Sequence, residues 1–292
     1  MSLGFAVGGL LVPVVAYSLE EFGWRSTAFG SGILVMAVGL PLAQVMRRRP
    51  EDYGEVVDGI REHSEQADGR RSAHVQPPPA AMAPERDFTL REAIRTPAFW
   101  LISLGHGSAL LVVGAVQVHV ISHLKEDLGY SVGSAALVVT LMTLMQVCGM
   151  LIGAAVGDRF DKRSIAAVCM CMHMVGMLLV AFAASLIMVV SFAVLHGLAW
   201  GIRGPLMQAI RADYFGRSSF GVIMGLSSTI IMLGQIGGPV VAGLMADQTG
   251  NYESGFTLMA VLAGLGSGFF IFARRPVLPE RISRPERAAE PA

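Results

Sequence analysis

Charge is what this sequence has least of. Asp, Glu, Lys and Arg together make up 15% of its 292 residues, where an ordinary soluble domain carries about 25%. That scarcity excludes a solvated surface over most of the chain. The balance is neutral, with 22 basic against 22 acidic residues, so overall charge points to neither a nucleic acid nor an acidic partner. Cysteine is nearly absent. Cys148, Cys169 and Cys171 have no paired framework and no metal-ligand spacing, which excludes a disulfide scaffold and leaves thiols packed as small hydrophobes. Met1, Ser2, Leu3 and Gly4 open the chain without a basic region, so a cleaved secretory signal is not expected. The isolated serines and histidines lack the partners that nucleophilic or metal chemistry needs. No enzyme activity, metal or cofactor is expected.

Apolar residues supply what charge does not: 53% of the chain is hydrophobic and its mean hydropathy is +0.57. They gather into stretches of roughly twenty residues, the length that crosses about 30 Å of hydrocarbon as a helix. Hydropathy windows predict eight spans, at 3–19, 26–46, 98–121, 132–156, 164–182, 186–208, 221–246 and 254–273. The first is the shortest, confined by Pro13 and the Glu20-Glu21 pair. The expected fold is an all-α polytopic membrane protein.

Orientation follows from the basic residues, which stay on the cytoplasmic side of short loops. Nineteen of the 22 lie in alternate connections and the C-terminal tail; Arg25 and Lys125 lie in the others, and Arg203 falls inside the sixth span. This count places Arg211 and Arg217 in a loop after that span. Both termini are then cytoplasmic and the number of spans is even, as expected for a multi-pass protein of the inner or plasma membrane.

Segment 47–97 is rich in arginine, glutamate and proline and too polar for a core, so it reads as a cytoplasmic linker. It divides the chain into two helices (1–46), the linker, six helices (98–273) and a tail (274–292). An internal echo accounts for the imbalance. Pro13-Val14-Val15-Ala16 repeats as Pro239-Val240-Val241-Ala242, and Gly23 and Phe29 match Gly250 and Phe256 after one insertion. Spans one and two thereby correspond to spans seven and eight of a duplicated array.

Three motifs carry a family resemblance. Ala154-Ala155-Val156-Gly157-Asp158-Arg159-Phe160-Asp161-Lys162-Arg163 is similar to the loop signature of the major facilitator superfamily, departing from it at Ala154 and Asp161, where the pattern has glycine. Gly225, Gly234, Gly238-Pro239 and Ala242-Gly243 match the spacing of that superfamily's exchanger signature, with Ala242 as the one change. Arg47-Arg48-Arg49-Pro50-Glu51-Asp52-Tyr53-Gly54 and Ala212-Asp213-Tyr214-Phe215-Gly216-Arg217 resemble the branch of monocarboxylate carriers and oxalate–formate exchangers. The resemblance implies a helical bundle in which these eight spans are helices five to twelve of twelve, the first four being absent.

It also implies a secondary active transporter that moves a small organic solute, a monocarboxylate or other organic anion, by alternating access. Its partners would be the lipid bilayer, that solute and a coupling ion. Gly157, Asp158, Arg159, Lys162 and Arg163 would form a gating loop, with Asp158 facing the start of the first span, residues Met1 to Gly4. The bland alternative is a solvated loop whose basic residues only set topology. Gly225, Gly234, Gly238, Pro239 and Gly243 would allow a helix to bend and pack closely; ordinary packing is the alternative.

Polar groups inside a membrane mark pathways. The resemblance sets the third and sixth spans beside the central cavity, so His106, Gln117 and His196 are the leading candidates, with Gln146 and Arg203 beside them. His119, His173 and Gln235 are further polar residues within spans. Each histidine has an interhelical hydrogen bond as its alternative role. Arg203 has no acid nearby in sequence and would attract a carboxylate, but its place near the expected end of the sixth span favours snorkelling to the interface. Two competing readings remain. The chain is an inactive fragment of such a transporter, which the DNA upstream of Met1 would reveal, or it is a membrane interaction protein that does not transport.

Overall fold

In the computed structural model the described residues are Gly8, 11–45, 87–216 and 218–278. Among them there is helix and no strand. The first helical run, α1 (Val12–Val45), joins what hydropathy separates into two spans. Gly23 breaks it at φ 73° and ψ 167°, a backbone conformation open to glycine and costly for a residue with a Cβ. The Thr27 hydroxyl donates to the Gly23 carbonyl at 2.9 Å and lies 2.9 Å from the Ser18 hydroxyl. The expected spans 3–19 and 26–46 thus meet at a sharp break, with no open loop between them. Residues 1–7, which include the expected latch partner, lie outside the described residues, as do Met46 at the end of the second expected span, 47–86 of the linker with its Arg47-to-Gly54 motif, Arg217, and 279–292 of the tail. From Tyr17 onward α1 belongs to one compact unit, and the helices after Arg86 belong to another.

The end of the linker is helical. Thr89 and Glu92 form a capping box that starts α2 (Leu90–Ala93). Thr96 then caps α3 (Pro97–Ser122), accepting from the Phe99 amide at 3.3 Å while Pro97 occupies a first-turn position that needs no amide hydrogen. A π-helical turn, His123–Asp127, extends α3. There follow α4 (Val132–Val156), α5 (Lys162–Ala181), α6 (Leu186–Phe215), α7 (Phe220–Thr249) and α8 (Glu253–Phe272). The windows agree closely with these limits except at α6. That helix passes its expected end at 208 and stops only where Gly216 takes φ 80°. Seven helices among the described residues, α1 and α3 to α8, are long and apolar enough to cross a membrane.

In lipid the hydrophobic effect does not drive helices together, so close backbone approach and polar contacts must. α3 packs on α7 and α8, α4 on α6, and α5 on α6 and α8. The α4–α6 contact is built from glycines four residues apart on both sides. A Cβ added at Gly149 would meet the Leu198 carbonyl at 2.5 Å and one at Gly153 the Ile202 carbonyl at 2.8 Å, while Gly197 and Gly201 lie against the Met142 and Gln146 carbonyls. At one end of the bundle His123 ties three elements together. Its Nε2 is 2.9 Å from the Val180 carbonyl and its Nδ1 2.7 Å from Asp127, whose same oxygen accepts from the Tyr252 amide at 2.8 Å. All three cysteines are free; Cys169 is buried, and Cys148 and Cys171 are exposed.

Candidate functional site

The interior between α3 and α8 is apolar, and against it two side chains stand out. Arg203 and Arg211 are each 1% exposed, and none of the buried polar side chains among the described residues is an Asp or Glu. Both positions correct the sequence reading. Arg211, expected in a loop, lies inside α6 because that helix continues to Phe215. For the same reason Arg203 is well within the helix and does not snorkel.

All three guanidinium nitrogens of Arg211 are engaged. Its Nη1 donates to the Met207 carbonyl at 2.7 Å, its Nε and Nη2 donate to the Ser227 hydroxyl at 3.1 and 2.9 Å, and Nη2 lies 3.3 Å from His106 Nδ1. A guanidinium only donates, so Nδ1 accepts there and the neutral His106 ring carries its proton on Nε2. Ser227 is 2.9 Å from Ser103. The group joins α3, α6 and α7.

Arg203 has no such set. Its Nε and Nη1 are buried and have no hydrogen-bond partner among the described residues. Its charge acts on His106, Cys169, His173, His196 and Arg211. His173 on α5 and His196 on α6 are fully buried and face each other, with Nδ1 3.1 Å from Nδ1 and ring centroids 4.5 Å apart. The Nε2 atoms of both rings also lack partners among the described residues.

The structure therefore brings together His106, His196 and Arg203 from the expected set and adds His173, Arg211 and Ser227. His196, Arg203 and Arg211 follow at intervals of seven and eight residues, which places them on one helical face; this signal was hidden by ending the sixth span at 208. Gln146 is buried at the α4–α6 contact, where its carbonyl meets Gly201. Gln117 is exposed on α3 and joins neither group. His119 donates from Nε2 to the Pro239 carbonyl at 2.9 Å, fastening α3 to α7.

Of the loop motif, Gly157 ends α4 with its α-carbon so close to α6 that a Cβ would meet Leu206 Cδ2 at 2.7 Å. Asp158 and Arg159 are exposed. Lys162 forms an ion pair with Asp213 of α6 at 2.9 Å, and Arg163 Nε bonds Asp161 at 3.0 Å. Asp161, where the family pattern has glycine, caps α5 by accepting from the Ser164 amide and hydroxyl at 3.3 and 2.7 Å. Burial pushes its carboxyl upward, but the bonds from Ser164 and Arg163 and the charge of Arg163 outweigh it and hold the group below the usual aspartate value. In the glycine motif, Gly234 and Gly238 lie against the Gly107 and Leu111 carbonyls of α3, and a Cβ at Gly243 would meet the His119 ring at 3.3 Å. Gly225 has open space around it.

The family model described as Major Facilitator Superfamily matches residues 103–291, more than half of the chain and all of the site just described. The chain belongs to that superfamily. A triacylglyceride transporter of Mycobacteroides abscessus is 27% identical over 169 residues, which make up 56% of this chain and 33% of that protein. A gentisate transporter of Corynebacterium glutamicum is 24% identical over 266 residues, 91% of this chain and 55% of that protein. Among solved structures, the Escherichia coli fucose:proton symporter covers 64% of this chain and 45% of its own at a TM-score of 0.54 and 19% identity; that likeness concerns the fold alone. The chain thus spans between a third and about half the length of the two curated relatives. As a member of the Major Facilitator Superfamily it is a multi-pass membrane protein of a solute-transport family.

Proposed function

We propose that this chain belongs to a secondary transporter that moves a small organic anion, specifically a carboxylate, by alternating access. The observation that carries the reading is Arg203, buried with two nitrogens unpartnered among the described residues and with no buried acid beside it. A charge taken into low dielectric costs several kcal/mol when nothing compensates it, and within a membrane such a group marks a substrate or ion path. An incoming carboxylate supplies the acceptors and the negative charge that the protein does not. His106 and His196 share the buried interior with Arg203, and the Gly157–Arg163 loop with its Lys162–Asp213 ion pair closes the cytoplasmic end. Gentisate, an aromatic carboxylate, is the first solute to test, because the gentisate transporter covers 91% of this chain. The protein would sit in the inner membrane with both termini cytoplasmic, and the glycine motif of α7 favours exchange over one-way movement.

The test is uptake of labelled gentisate and benzoate into vesicles carrying the protein, with and without unlabelled anion inside. Saturable uptake that Arg203→Gln abolishes supports the reading. No saturable flux and no binding of either anion would sink it.

A further inference from the structure

We propose that His173, His196 and Arg203 form one site that takes up a carboxylate monoanion together with one proton. This rests on the anion reading above and goes beyond it by assigning the coupling ion and the atom that holds it.

The histidine pair can be followed proton by proton. Two ring nitrogens 3.1 Å apart make a hydrogen bond only if one donates and the other accepts. In a neutral pair, the ring that donates from Nδ1 has a bare Nε2, and the ring that accepts at Nδ1 carries its proton on Nε2. Because both Nε2 atoms are buried without partners among the described residues, the neutral pair holds one unsatisfied acceptor and one unsatisfied donor. Such groups in an apolar interior are expensive. The pair has a vacant position for one more proton, at the bare Nε2, and filling it leaves the Nδ1 contact intact. The protonated pair then presents two N–H donors and a positive charge.

Surrounding charges decide when that proton is accepted. Outside the pair, the charged group that acts on both rings is Arg203 of α6, and Arg203 in turn lies within electrostatic reach of Arg211 on α6, Cys169 on α5 and His106 on α3. From α4 and α8, the buried polar groups are uncharged: Thr143, Gln146 and Ser267. The Phe192 ring covers His196 at 5.4 Å. The Arg203 guanidinium opposes a second positive charge on the rings, and no buried carboxylate among the described residues offsets it. A monoanion on Arg203 cancels that opposing charge and supplies acceptors for the new N–H groups. Anion and proton therefore favour each other's binding, and linkage makes the effect reciprocal. The proton comes from water and goes to Nε2 of the ring that donates from Nδ1; no covalent bond to carbon changes.

The decisive measurement is calorimetric titration of the full chain in lipid nanodiscs with gentisate, repeated with benzoate, in buffers of different ionisation enthalpy at one pH. The expected result is a binding heat that depends on the buffer with a slope of about one proton taken up per anion. His173→Gln and His196→Gln should weaken binding about tenfold, the worth of one charge-assisted hydrogen bond, and bring proton uptake to zero. Binding by the unaltered protein with buffer-independent heat overturns this inference and leaves the anion reading standing. Proton uptake that persists unchanged in both histidine variants overturns the assignment to this pair. No binding of either anion by the unaltered protein overturns both readings.

Discussion

Arg203 and Arg211 lie on one face of α6, equally buried, and their surroundings differ completely. Arg211 spends its donors on the Met207 carbonyl, Ser227 and His106, so its charge is spread through a network that joins three helices. Arg203 leaves two nitrogens unpartnered beside a histidine pair that is itself half satisfied. The difference separates structure from poised chemistry. A buried cation whose nitrogens are all engaged holds helices in register, and removing it strands its partners. A buried cation with idle donors adds little to the resting fold and gains most when an acceptor arrives.

The comparison breaks most readily at Arg203. Arg203→Gln should reduce gentisate affinity at least about a hundredfold, the loss of a charged bond worth about 3 kcal/mol, while the melting temperature in nanodiscs stays the same or rises. If the variant melts lower and still binds, the roles of the two arginines are reversed. Next is Arg211→Met, which strands Ser227, Ser103 and His106 and should cost about 2–3 kcal/mol of stability, measured by thermal unfolding of the detergent-solubilised protein. Stability equal to the unaltered protein would mean that the network holds nothing.

Ser227→Ala sharpens the same contrast. It removes the oxygen that two Arg211 nitrogens share, and about 1–2 kcal/mol should be lost, with gentisate affinity changed far less than by Arg203→Gln. The smallest effect is at the exposed end of α5. Asp161→Ala removes a helix cap and should cost about 1 kcal/mol at pH 7. Because the folded state holds the Asp161 carboxyl below its ordinary value, its stabilisation is present above the unfolded aspartate range near pH ~4 and fades as pH falls through the lower folded value. The melting difference between Asp161→Asn and the unaltered protein should therefore shrink to nothing on acidification; a difference that grows in acid would contradict the sign.

Parts of the site were within reach of the sequence. His196 and Arg203 stood out as polar residues in an apolar run, and both belong to the buried group. Arg211 was missed because a hydropathy window ends where charge appears, whereas the helix ends where Gly216 takes a positive φ. The glycine spacing in α7 was visible, but its partners, the Gly107 and Leu111 carbonyls, belong to a helix more than a hundred residues earlier. The equally close α4–α6 contact at Gly149, Gly153, Gly197 and Gly201 has a four-residue spacing that is the same kind of signal.

By itself the sequence determined that this chain crosses lipid repeatedly as helices and, except for the end of α6, where α3 to α8 run. Those are local properties, since the cost of placing a residue in hydrocarbon adds up over some twenty neighbours and the backbone must satisfy its own hydrogen bonds within each segment. Only the tertiary structure decided which buried cation is engaged and which is idle. Whether a guanidinium finds an acceptor depends on atoms brought from other helices within about 3 Å, and Ser227, His106 and His173 reach α6 only through the packing of α3, α5 and α7 around it.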